Sequence, residues 1–203
     1  VGVTSLKFIN YRNYGVFTTT DFKDTYYADM GKEILKIKPD EEKEHVWVTR
    51  DTIDTLYEIS PTFATLKPEL DKLYVGMDSW ATGAIDGEIE KDYIIWAIRW
   101  AADTSGVYQQ GATYTNMFYK QVYDDILEAF ADGKLEKRDA IILSNLARPF
   151  VFSRDFKPCL EFVWTEMREL VSYSVYKCRS GISQGSEEQI REMVELHSSL
   201  FPL

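Results

Sequence analysis

The sequence predicts a mainly α fold, a single-domain bundle-like array of helices with a minor β element. Three observations predict it. Apolar residues recur every three or four positions over 22–37, 119–130 and 160–175, the spacing that lines one face of a helix. Cap and breaker residues punctuate those stretches: Ser60-Pro61, Gly106, Gly133, and Ser186 with Gln189 three residues on. The 203 residues, 45% apolar and 28% charged, have the balance of a globular domain. A chain of this length can bury roughly 70% of its unfolded surface, so residues 1–203 are read as one soluble body.

The segment Leu6 to Thr20, rich in aromatic and β-branched residues, is expected to be extended. From Asp21 the positions Phe22, Tyr26, Met30, Ile34 and Ile37 predict a helix that Pro39 stops. The charged run 40–44 reads as a loop, and His45 to Thr49 has the composition of a strand. Thr49 or Asp51 can cap a short helix ending near Ile59. Ser60 then places a cap before a proline whose missing N–H costs nothing at the first helical position. A break before Pro68 and a helix through Leu70 and Leu73 follow, and 76–87 reads as a loop.

Asp92 to Ser105 is apolar around most of its circumference and is expected to be enclosed, with Gly106 as its stop. Thr113 to Ala131 carries a stripe of Tyr119, Val122, Tyr123, Ile126, Leu127 and Phe130. The short link predicts that these two helices pack as an antiparallel pair. Residues 135–157 are ambiguous between strand and buried helix, broken at Arg148-Pro149. Leu160 to Val175 is amphipathic, with Glu161, Glu166, Arg168 and Glu169 on its wet side, and Ser186 opens a last helix. Cys159 and Cys178, 19 residues apart on one helix at about 1.5 Å rise, would lie roughly 28 Å from each other, out of disulfide reach. Both are expected to serve as small buried apolar side chains.

Chemistry-bearing motifs are few. A net charge of −10 repels phosphate backbones and anionic lipid, so nucleic acid is not an expected partner. No window of about 18 apolar residues spans a bilayer. Two histidines 152 residues apart and two cysteines on one helix form no local zinc pattern, and no cofactor is expected. The acidic run Asp86, Glu88, Glu90, Asp92 lacks the glycine and final glutamate of a calcium loop, and reads as a solvated approach to a helix start. Gly181-Ile182-Ser183-Gln184-Gly185 fits the letters of a nucleophile elbow but follows a polar helix end where a buried strand is required. Arg99 stands nearly alone as a charge on an apolar helix, so it must reach water, pair with an acid or face a ligand. Trp80, Trp96 and Trp100 are read as core in preference to a sugar platform.

Four strings in order carry a resemblance: Asn13-Tyr14-Gly15-Val16-Phe17, Tyr57-Glu58-Ile59-Ser60-Pro61-Thr62-Phe63, Trp96-Ala97-Ile98-Arg99 and Gly185-Ser186-Glu187-Glu188. With them the chain resembles extracytoplasmic segments of polytopic bacterial membrane proteins, some of which carry a glycosyltransferase label. In that family a glycine and aromatics precede the W-A-L-R string, where this chain has Lys91-Asp92-Tyr93-Ile94-Ile95. The resemblance implies a domain at the outer face of the cell membrane, its ends returning toward the bilayer beside its parent protein's membrane helices. It implies no catalytic residue. The expectation is a noncatalytic or accessory domain that binds a partner protein or a cell-envelope glycan, in a cleft where Tyr57 and Glu58 meet Trp96 and Arg99. Two alternatives stand beside it. One is a carbohydrate-active domain, with paired carboxylates or as part of a membrane glycosyltransferase active site; the other is a cytoplasmic helical regulatory domain.

Overall fold

The computed structural model describes residues 2–75, 87–172 and 191. Within them are eight α-helices: α1 (Gly2–Tyr14), α2 (Tyr26–Leu35), α3 (Arg50–Ile59), α4 (Pro61–Ala64), α5 (Lys67–Val75), α6 (Tyr93–Thr104), α7 (Ala112–Ala131) and α8 (Phe152–Ser172). A 3₁₀ turn, Tyr108–Gln110, lies between α6 and α7. The fold is mainly α, and β structure among the described residues is confined to the isolated bridges Thr20–Lys23, Ile37–Lys137 and Ile141–Phe150. The chain divides into two compact units, Val1–Phe156 and Lys157–Leu203.

The first unit is built on α2, α6 and α7. Met30, Ile53, Ile98 and Val122 are sealed from solvent, and truncating any one of the larger of them to alanine costs about 2–5 kcal/mol through lost transfer energy and the cavity left behind. α2 lies against α7, while α6 has α5 as its main helical neighbour. The expected α6–α7 pair is therefore not the packing found. Tyr27 of α2 explains it: its ring meets Tyr119 of α7 at 4.9 Å, and its hydroxyl donates to the Ile95 carbonyl of α6 at 2.7 Å. Gly31 lets the segment around Asn145 lie close on α2, because a Cβ there would come within 2.9 Å of the Asn145 Cβ.

Two segments expected to be extended are not. Leu6 to Tyr14 belongs to α1, which has no buried residue and ends where Gly15 donates to the Tyr11 carbonyl. His45 to Thr49 is irregular, with Val46 and Val48 buried and Lys91 N–H donating to the His45 carbonyl at 2.7 Å. The reason is shared. Strand composition is a preference for a half-buried pleated surface, and among the described residues neither segment has a neighbouring strand to pair with, so the first bonds within a helix and the second bonds Lys91 and Arg138 through the His45 and Trp47 carbonyls.

Other boundaries shift for local reasons. α2 begins at Tyr26, not Asp21, because Thr25 caps it through the Ala28 N–H, and Asp21 is left in the preceding turn. Ser60 caps α4 through the Phe63 N–H with Pro61 at the first position, as expected. Thr49 precedes α3, yet its hydroxyl bonds Thr52 Oγ1 and caps nothing. The free Arg50 N–H is taken instead by Glu88 Oε2 at 2.8 Å, and Glu88 Oε1 receives Lys43 Nζ at 2.7 Å. Glu88 is 3% exposed, so the acidic run is not a solvated approach at this position.

α8 starts eight residues before the expected stripe and runs through Pro158. Asp155 secures its start by accepting the Val151 N–H at 2.8 Å. In the second unit Leu160, Val163, Trp164 and Met167 are all exposed, so the amphipathic pattern is present with its apolar side open. Cys159 is also exposed, contrary to its reading as a buried side chain. Cys178, Trp80, the 181–185 string and the helix expected after Ser186 lie outside the described residues. No described helix is long and apolar enough to cross a membrane.

Candidate functional site

A pocket of about 240 Å³ opens in the first unit, where the segment after α1, the turn before α2, α6, the 3₁₀ turn and α7 converge. Its only charged lining residues, among those described, are Asp21 and Arg99. α6 buries Ile94, Ile95, Ile98 and Ala101 on its inner side, which leaves Arg99 at the margin of that face, where its stem packs and its head reaches the pocket. Arg99 Nη2 donates to Asp21 Oδ2 at 3.1 Å. The guanidinium lies 5.0 Å from the centre of the Tyr108 ring and 5.9 Å from that of Phe22. Its Nε is buried and has no acceptor among the described residues.

Phenols and small polar groups complete the lining. Tyr108 and Tyr119 share a hydrogen bond at 3.3 Å between their hydroxyls. Burial is the main cause that pushes Tyr108 up to about 12, and the same cause raises Tyr27 and Tyr119, so all three are neutral phenols at physiological pH. Burial opposes the charge on Arg99, but Tyr108 and Asp21 more than offset it, and its pKa lies above the ordinary value. Asn116 accepts the Tyr26 N–H on Oδ1 at 3.1 Å, which leaves its amide nitrogen to donate. Thr18 spends its hydroxyl on the carbonyls of Thr20 and Lys23 and so shapes the wall without offering a donor.

The four residues expected to form a cleft fall into two neighbourhoods. Arg99 lines the pocket, and Trp96, one turn earlier, packs its ring 4.5 Å from Phe22 while its Nε1 donates to Asp92. Tyr57 is buried elsewhere, against Phe63 at 5.5 Å, with its hydroxyl on Asp71 and Lys67 above its ring. Burial is again the main cause of its raised pKa. Glu58 is an exposed position on α3. Of the pocket residues, sequence reasoning singled out Arg99 alone. Asp21 stands in the sequence only as the point where the helical spacing begins, and Tyr27 falls off that spacing. Tyr108 lies in a link, and nothing in the order of residues ties position 21 to 99 or 116.

The pocket offers donors, one acceptor carboxylate and aromatic surface at zero net charge. Glycoside hydrolysis needs two carboxylates flanking the bond, and the described lining has one, already paired. Among the described residues no group of three or more His, Cys, Asp and Glu side chains is placed to hold a metal. Compared with known proteins, the chain matches no family model, no curated protein and no solved structure.

Proposed function

We propose that this chain is a noncatalytic, accessory extracytoplasmic domain of a bacterial membrane protein, and that it holds a cell-envelope glycan by seating one ring of it in the Asp21–Arg99 pocket. The observation that carries this reading is Arg99: a guanidinium at the rim of a preformed pocket, from which Asp21 alone accepts a hydrogen bond among the described residues. The side chain is partly exposed and among the described residues only one of its Nη hydrogens is bonded, to Asp21, so further Nη hydrogens can meet a bound hydroxyl oxygen. The single paired carboxylate favours binding over turnover. In a titration of the ¹⁵N-labelled domain with glycan fragments released from bacterial envelopes, shifts should centre on Arg99 Nε, Asn116 and Tyr26. Fragments that move no pocket signal, or that emerge cleaved, would defeat the reading.

A second surface suits the parent protein's membrane helices, and the exposed apolar side of α8 favours it. Cys159 reports on it directly. In a Cys178→Ser background a bulky maleimide should modify Cys159 quickly in the isolated domain and slowly in the membrane-embedded parent. Equal rates would remove this surface from consideration.

A further inference from the structure

We infer that the Asp21–Arg99 pocket selects an uncharged sugar ring bearing adjacent hydroxyls and discriminates against acidic sugars. This inference rests on the glycan reading above and names the chemistry that the site would accept.

Charge is the first argument. Arg99 and Asp21 are the only charged groups among the described lining residues, and they are 3.1 Å apart, so the pocket presents a donor and an acceptor side by side with no net charge. Two neighbouring hydroxyls answer that arrangement: one oxygen accepts from Arg99, and the other hydroxyl donates to Asp21, whose Oδ1 is not used by Arg99. A uronate would meet a different situation. Its carboxylate must either face Asp21 or displace it from Arg99, and like charges at that range disfavour each other.

The remaining donors point the same way. One hydroxyl hydrogen of the Tyr108–Tyr119 pair is consumed between them, and the Tyr27 hydroxyl is committed to the Ile95 carbonyl. The Tyr108 hydroxyl also interacts with the Asp21 carboxylate, so what remains is the Asn116 amide and the Arg99 Nη hydrogens that Asp21 does not take, single donors suited to hydroxyl oxygens around a ring. Carbon–hydrogen faces of such a ring can lie on the tyrosine surfaces. An amino-acid zwitterion is the competing small ligand of zero net charge, but to use both charges it must pull the Arg99–Asp21 pair apart.

Binding to the intact domain can be followed by saturation-transfer NMR with the methyl glycosides of glucose, mannose and galactose, with glucuronate, and with alanine. At least one neutral glycoside should bind, at least tenfold more tightly than glucuronate, with little change when salt is raised. Asp21→Asn should narrow or invert that preference, and Arg99→Met should abolish binding. If Asp21→Asn does not fold, the salt response of the unaltered protein serves in its place, since recognition of an acid would weaken with salt. Glucuronate binding as well as the neutral glycosides would overturn the inference and leave the glycan reading standing. So would binding of envelope fragments when none of the neutral glycosides binds. Alanine bound in the pocket to the exclusion of every sugar, or no response to any probe or fragment, would overturn both.

Discussion

Arg50 and Arg99 are both about one third exposed and both paired with aspartate, yet their surroundings differ. Arg50 gives Nε to Asp54 at 3.3 Å and Nη2 to Asp71 at 2.7 Å, and its guanidinium lies 4.3 Å from the centre of the Tyr74 ring. Next to it Glu88 closes the start of α3 and takes Lys43. Among the described residues Arg99 has a single acceptor, at 3.1 Å, and a pocket before it. The chemistry of the ion pair is the same in both regions. What differs is saturation: acids of its own helix and of α5 take donors of Arg50, whereas Arg99 gives one to Asp21 and keeps others for something else. The first region should therefore respond to mutation in stability and the second in binding.

The largest effect expected from that contrast is at Glu88. Glu88→Ala removes a buried carboxylate from two donors at once and should lower unfolding free energy by about 2–4 kcal/mol in a urea titration. A loss below about 1 kcal/mol would mean that water reaches those donors and that the Arg50 region is not the saturated one. Arg50→Met keeps the stem's packing and removes the head, and about 1–2 kcal/mol should follow.

The exposed Arg154–Asp155 pair extends the comparison to a helix end. Its hydrogen bond to Arg154, aided by the Val151 N–H, holds the Asp155 carboxyl down at about 2, against an ordinary value of 3.8. A lowered folded-state pKa contributes stability above the unfolded value and loses it as pH falls, here between about 4 and 2, by about 1 kcal/mol or less after allowance for solvent screening. Amide exchange at the start of α8 should quicken in that window, and Asp155→Asn should remove the dependence. Arg99→Met should have the smallest effect on stability, below about 0.5 kcal/mol for a partly exposed single-pronged pair. A large destabilisation there would recast Arg99 as a second Arg50.

The helical positions were legible where one residue's neighbours in sequence are also its neighbours in space. The spacing of Met30 and Ile34, the Ser60-Pro61 start and the run before Gly106 each describe contacts within a few turns, and each appears near its expected place. The minor β element was misplaced because Leu6 to Thr20 and His45 to Thr49 satisfy a local preference whose fulfilment depends on a partner strand.

The amino-acid order alone determined that this chain is mainly helical, roughly where α2 to α7 start and stop, and that Arg99 needs a partner or water. Tertiary packing decided which partner. Asp21 is 78 positions from Arg99, Glu88 is 38 from the amide it caps, and Tyr27 sets α2 between α6 and α7 through contacts 68 and 92 positions away. Hydrogen bonds and ion pairs act over a few ångströms of space and carry no periodicity along the chain, so sequence spacing has no means of recording them.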